Sequence, residues 1–310
     1  MIYQPININR LIRSLTESLE EDLIKTGVFY RIFYRAKSVK SLTKKLEIVN
    51  ADGSKKYNGQ EKFLRDLIGI RINLYFVDDL EILLNFFKTK YQSFFLEEAV
   101  DVNNDTEFKP TRVNLIFALP EHLKTEFRAI VPEVEIDATF ELQMRTIFSE
   151  GWHEVEHDFR YKCQDDWVSH TSLSRTFNGM LAALETHEWG IIKVFEALAY
   201  SHYKDQNHSA MIRMKLRIRT EDLEISDELL TVIVGAGSFI KDFFKLERQI
   251  LIDFLLTQDV RVPFTLDNLV FLINHFFIKN QQINDATPNI LLNDFNKLTF
   301  KVEETIETNQ

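Results

Sequence analysis

Four segments of this 310-residue chain place cations, carboxylates and hydroxyls at spacings that suit phosphate or metal chemistry. The first runs from Arg31 to Lys45 and carries Arg31, Arg35, Lys37, Lys40, Lys44 and Lys45 with no acidic residue among them. Guanidinium planes stack on purines and chelate phosphate oxygens, and ammonium groups neutralise phosphate as point charges. If the segment is helical, Arg35, Ser38, Ser41 and Lys45 share a face. The second is Arg65-Asp66-Leu67-Ile68-Gly69-Ile70-Arg71. A carboxylate at the mouth of a strand can hold Mg²⁺, which usually takes one or two carboxylates plus substrate oxygens; the plainer reading has Asp66 capping a turn. In the third, Phe140 to Thr146, a strand would put Glu141, Gln143 and Arg145 on one face and Leu142 and Met144 on the other. Three polar side chains in a row require a cleft or solvent. The fourth contains His153-Glu154-x-x-His157, the zincin pattern: on a helix both histidines could bind zinc with Glu154 as base and Glu185 or Glu188 as third ligand. The glycine and third histidine of the extended zincin form are missing downstream.

The elements that must position these groups follow from hydrophobic periodicity. Leu11, Leu15, Leu19 and Leu23 recur at helical spacing, and the reading continues as helix from Asn9 to Lys45. Ala51 to Lys56 is an Asp-Gly turn. Ile70 to Val77 alternates as a strand, Asp78 to Phe94 reads as a helix, Asp101 to Lys109 as a loop, and Arg112 to Leu119 as a strand. Val134, Ile136, Ala138, Phe140, Leu142 and Met144 keep a period of two, so Glu133 to Arg145 is the clearest strand. Beyond Phe148 the texture is helical: Ser149–Tyr161, Ser172–Tyr203, Asp227–Thr257, Thr265–Ile278 with Thr265 as cap, and Ile290–Phe295. Thr186-His187-Glu188-Trp189 reads as core packing around a satisfied histidine.

Bulk composition narrows the functional classes. The net charge of −10 argues against general binding of DNA or anionic membranes and makes the basic segment a local exception. Cys163 is the only cysteine, which excludes an intrachain disulfide and a thiolate zinc cage. The N-terminus lacks the charged and apolar regions of a secretory signal, and the longest apolar run, Leu229 to Ile240, is too short to span a bilayer. A cytoplasmic protein is expected.

Taken in order, the four segments resemble the RelA/SpoT synthetase domain, particularly the small alarmone synthetases. Arg35, Lys37, Ser41 and Lys45 match its basic motif; Asp66, Gly69 and Arg71 match Asp-x-x-Gly-x-Arg. Glu141, Gln143, Arg145 and Thr146 match the Glu-x-Gln-x-Arg-Thr strand, and Trp152, Glu156, His157, Arg160, Tyr161 and Lys162 match the helix after it. The likeness spans roughly Phe29 to Lys162. It implies an α+β fold with a nucleotidyltransferase-like mixed five-stranded sheet flanked by helices. It implies transfer of the β,γ-pyrophosphate of ATP to a ribose 3′-hydroxyl. In that chemistry Arg35 and Arg71 sandwich adenine, Lys37, Ser41 and Lys45 hold the ATP phosphates, and Asp66 and Glu141 hold Mg²⁺, with Glu141 also the candidate base. Gln143, Arg145, Glu156 and His157 are then supporting or acceptor-side groups, and His153 becomes incidental.

One departure concerns the acceptor. The family's Gly-Tyr-x-x-x-His loop, whose tyrosine stacks on guanine, is replaced by Phe108-Lys109-Pro110-Thr111-Arg112-Val113-Asn114-Leu115. Phe108 and Arg112 each offer a flat face for stacking, and Asn114 stands where the histidine would be. The resemblance favours GDP or GTP as acceptor, with ADP, ATP or the 3′ end of tRNA as alternatives. A non-catalytic nucleotide-binding module and a zinc hydrolase are the competing readings. The expected division is a pyrophosphokinase domain over 1–165 and a helical region over 166–310 that supports, oligomerises or regulates it.

Overall fold

A computed structural model of the chain describes residues 5–100 and 113–298. Buried Ile8, Leu11, Ile12, Leu15, Leu19 and Leu23 form one apolar stripe and wind the N-terminal segment into α1 (Pro5–Ile24). The helix does not continue to Lys45 as the leucine spacing suggests. A strand, β1 (Tyr30–Ala36), interrupts it, and a short helix, α2 (Val39–Leu46), follows after Ser38, whose hydroxyl caps it by accepting from the Ser41 amide at 3.2 Å. β1 is an edge strand paired only with β2 (Ile68–Leu74). Phe33, Tyr34 and Arg35 are exposed in succession, so the alternation that marks a half-buried strand is absent from its sequence.

The remaining elements of the sheet layer are α3 (Asp78–Lys90), β3 (Phe95–Val100), β4 (Val113–Ala118), α4 (Glu121–Ile130), β5 (Thr139–Thr146) and α5 (Ile147–Glu156). The strand order is β1-β2-β5-β4-β3. β2 and β5 run parallel and the other pairs antiparallel, giving the mixed five-stranded sheet flanked by helices. β5 begins later than its alternation suggests: Val134 is exposed, and Ile136 makes only an isolated bridge with Leu64. β3 and α4 occupy stretches that carried no assignment from sequence. Phe108, Arg112 and the whole of the expected 101–109 loop lie outside the described residues.

One face of the sheet is apolar. Ile68, Ile70 and Ile72 of β2, Phe140, Leu142 and Met144 of β5, and Leu115 and Phe117 of β4 are buried, as are Leu83 and Phe87 of α3 and Phe127 of α4. Phe117 stacks on Phe140 at 5.3 Å and meets Tyr91 edge-on at 5.9 Å. Each such side chain contributes roughly 1.5–3 kcal/mol on burial. The opposite face is left for chemistry.

α5 passes into a wider π turn (His157–Tyr161), followed by α6 (Gln164–Trp167) and the long α7 (Thr171–Lys204). The sheet-bearing compact unit comprises Met1–Asp22 and Phe29–Ile191, so the expected boundary near 165 falls inside it. The bonds that tie the start of α7 into this unit are specific. Phe177 stacks on Trp152 at 4.9 Å, Asn178 accepts from Arg160 at 2.5 Å, and Glu188 accepts from the Thr146 hydroxyl. Glu188 is buried, whereas His187 and Trp189 are exposed, contrary to a core role for the pair.

The second unit comprises Leu23–Val28 and Ile192–Gln310. Its described residues form helices, among them α8 (His208–Leu216), α9 (Asp227–Gly235), α10 (Phe239–Lys245), α11 (Arg248–Thr257) and α12 (Leu266–Ile273). The expected single helix over 227–257 is broken twice; at the first break Gly237 adopts φ +58°. Thr265 caps α12 as expected, accepting from the Asn268 amide at 3.1 Å. Among the described residues no helix is long and apolar enough to cross a membrane.

Candidate active site

Strand register assembles the polar face of the sheet in rows. Arg35 of β1 stands opposite Gly69 of β2, Gly69 opposite Glu141 of β5, and Glu141 opposite Ile116 of β4. The next row is Phe33, Arg71, Gln143 and Asn114; the one after that is Arg31, Asn73 and Arg145. Register partners share a face, so residues from three of the four sequence segments meet on one surface.

Arg35, Lys37, Ser41, Lys45, Asp66, Arg71, Glu141, Gln143 and His157 line a single cavity of 740 Å³, together with Phe33, Tyr34, Tyr161 and Lys162. Arg35 reaches it from β1 and not from the helix it was expected to share with Ser41 and Lys45. Lys37 sits between the two elements, its amide bonded to the Leu67 carbonyl at 2.8 Å. Asn114, Arg145 and Glu156 are not in the cavity wall. Arg145 is buried and donates to Glu150 at 2.7 Å, and Glu156 accepts from Arg160 at 3.3 Å. Both hold α5 in place behind the site. Asn114 lies on the site face beside Gln143, and its Oδ1 is buried with no hydrogen-bond partner.

Asp66 is the electrostatic centre. Its Oδ2 accepts from both Lys37 and Lys45, while its Oδ1 is buried without a partner. Burial alone would raise its pKa, but the two ammonium groups outweigh that and hold the carboxyl below its usual range. The lysines respond in opposite senses. Burial lowers the pKa of Lys37, whereas for Lys45 the cost of burial is exceeded by the attraction of Asp66 and the value rises. Glu141 opens into the same cavity, its Oε2 accepting from Gln143 at 3.1 Å. Two carboxylates on one cavity, one with an unsatisfied buried oxygen, form a donor set that suits Mg²⁺.

Zinc finds a poorer fit. No group of three His, Cys, Asp or Glu placed to hold a metal ion occurs among the described residues. The zincin histidines have different surroundings: His153 is buried, 3.8 Å from Glu156, whereas His157 faces the cavity, stacks on Tyr161 at 5.6 Å and lies 3.0 Å from Asp158.

Sequence reasoning gave Glu150 no role and Glu154 a role only as the base of the zinc reading. Arg71 donates to both, and the Arg71 guanidinium, ahead of the partial burial that opposes it, lowers the pKa of Glu154. Their spacing of four on the helix after Arg145-Thr146 was the available signal. Beside the main cavity, a second of 290 Å³ shares Lys45 and Asp66 with it and adds Tyr57, Lys62, Arg65 and Ile116.

The comparison with protein families supports a nucleotide pyrophosphokinase. The family model described as the region found in RelA / SpoT proteins matches residues 34–166. Similar solved structures include small alarmone synthetase 2 from Bacillus subtilis (18% identity, 59% of this chain and 96% of that one, TM-score 0.43). Small alarmone synthetase 1 from the same organism, bound to its product pppGpp, is 15% identical over 61% of this chain and 93% of that one, with TM-score 0.42. A GTP pyrophosphokinase family protein from Streptococcus pneumoniae is 18% identical over 60% and 88%, with TM-score 0.42. No match was found among curated protein sequences.

Proposed function

We propose that this chain transfers the β,γ-pyrophosphoryl group of ATP to the 3′-hydroxyl of a guanine nucleotide, GDP or GTP, and releases AMP in the cytoplasm. The observation that carries this reading is the convergence on one cavity of Lys37, Lys45, Asp66 and Glu141 with the flat cations Arg35 and Arg71.

Arg35 and Arg71 hold the adenine from two adjacent strands. Lys37 and Lys45, paired with Asp66 in the absence of nucleotide, turn to the incoming phosphates and neutralise them. Release of Asp66 from the lysines exposes both carboxylate oxygens to the cavity, where Asp66 and Glu141 would hold Mg²⁺. That ion, when bound, would supply charge neutralisation on the transferred group. Glu141, oriented by Gln143, takes the proton of the acceptor 3′-hydroxyl. The bond from O3′ to the β-phosphorus forms as the bond from that phosphorus to the α–β bridging oxygen breaks, and AMP leaves with the bridging oxygen. The acceptor occupies the second cavity, where Tyr57 offers a ring and Lys62 a cation, and where Arg65 is held by Glu97 and Asp137. The side shared with the main cavity, Lys45 and Asp66, is where the two substrates meet.

The test is chromatography of labelled products after incubation with ATP, Mg²⁺ and GDP, GTP, ADP, ATP or tRNA. The expected result is AMP with a 3′-pyrophosphorylated guanine nucleotide, abolished by a chelator and restored by Mg²⁺. AMP formed only with an adenine nucleotide or tRNA would reassign the acceptor. No AMP with any acceptor, alongside tight nucleotide binding, would replace the enzyme with a non-catalytic nucleotide-binding module.

A further inference from the structure

Arg71 is bonded along its edge. Its Nη1 donates to Glu150 and, at 2.6 Å, to Glu154, and its Nε donates to Gln143 at 3.2 Å. Glu150 is held in turn, because its other oxygen accepts from the buried Arg145 at 2.7 Å. The start of α5 is fixed by a reciprocal capping box between Thr146 and Ser149, which sets Glu150 and, one turn later, Glu154 over β2. Hydrogen bonds to a guanidinium lie in its plane. A guanidinium bonded on its edges keeps its two faces for stacking. Glu150 and Glu154 balance the charges of Arg71 and Arg145, so this corner of the cavity holds no uncompensated cation to draw phosphate. At the other end of the same cavity, Lys37 and Lys45 outnumber Asp66.

The geometry points to Glu150 and Glu154 as positioning residues that turn Arg71 into a base platform and set the direction in which ATP lies, phosphates away from α5. This rests on the pyrophosphokinase reading and adds to it a device that orients the donor. Without the acidic pair, Arg71 becomes a free cation that competes with the lysines for phosphate.

Glu154 is the safer probe, since its side chain is 57% exposed, whereas Glu150 also ties Arg145. The experiment is calorimetry on the full chain with Mg²⁺, using a non-hydrolysable ATP analogue and, separately, inorganic tripolyphosphate. Glu154→Ala should weaken the ATP analogue roughly threefold to tenfold and leave tripolyphosphate unchanged or slightly tighter. Glu154→Gln, which keeps an acceptor, should fall between. In turnover, the KM for ATP should rise with kcat nearly constant. Equal weakening of both ligands, or an unchanged affinity for the analogue, overturns the inference. Because the readout is binding, absence of AMP from the wild-type chain would count against the proposed reaction and leave the clamp separately decided.

Discussion

Gly69 stands opposite Glu141 in the parallel pairing of β2 and β5, and opposite Arg35 in the antiparallel pairing with β1. The residue at the middle of the polar face therefore has no side chain, and the floor of the cavity lies open between a cation and a carboxylate. A Cβ built on Gly69 would come no closer than 4.0 Å to Arg35, an ordinary contact. Gly69→Val should then fold normally, since β-branched residues suit a strand. It should nevertheless raise the KM for ATP by about tenfold, because even one kcal-scale clash in a substrate site has that effect. Thermal melts and initial rates of AMP formation, measured together, check this; a drop in Tm with unchanged KM would contradict it.

Asp66→Asn should abolish most activity with folding retained. The amide keeps the shape but loses the charge that bridges Lys37 and Lys45 and one of the two oxygens that suit the cation. A loss of about 10²–10³ in kcat is the magnitude for one electrostatic group at a reacting centre. Circular dichroism with AMP release distinguishes loss of function from loss of fold.

The same residue controls acid stability. The folded-state pKa of Asp66 lies below its unfolded value, so its contribution is present above the ordinary carboxylate range and disappears as pH falls through the depressed value. In wild type this loss should occur below about pH 4. Asp66→Asn should lack it, so the gap in Tm between the two proteins should narrow on acidification. A constant gap from pH 7 to pH 3 would rule out the ion pairs as its source.

Glu188 predicts the opposite slope. Burial raises its pKa, partly offset by the hydrogen bond from Thr146. A raised carboxyl stabilises the fold below its unfolded pKa, and that stability is lost as pH rises through the folded value. Glu188→Gln keeps an acceptor for Thr146 and removes the buried charge. Its Tm should exceed that of wild type at pH 8, with the advantage closing toward about pH 4. Differential scanning calorimetry across that range measures it.

Arg160 anchors the π turn that carries His157 and Tyr161 into the cavity. Its guanidinium lies 5.5 Å from the Trp152 ring and 5.1 Å from Phe177, and it donates to Glu156 and Asn178. Arg160→Ala should cost about 1–3 kcal/mol, the value for charge-assisted hydrogen bonds partly withdrawn from water. Denaturant titration followed by tryptophan emission reads both the stability and the change around Trp152.

The sequence by itself named the candidate groups. Arg35, Lys37, Asp66, Glu141 and His157 could be named because four segments, taken in order, resemble the RelA/SpoT synthetase motifs, whereas residue type and local spacing alone left Asp66 equally readable as a turn cap. β5 was legible because one of its faces is buried and its partners alternate, and α1 because its leucines repeat with the helix. β1 was not: an edge strand whose site face carries Arg31, Phe33 and Arg35 has no apolar alternation to read. Register also lay beyond sequence, since pairing energy is spread over whole strands and no single residue encodes it. Only the folded sheet set Gly69 beside Glu141, and only the docking of α5 on β2 brought Glu150 and Glu154 to Arg71. Those carboxylates lie far from Arg71 along the chain, so their meeting depends on where the sheet and helix pack and on nothing in their local sequence.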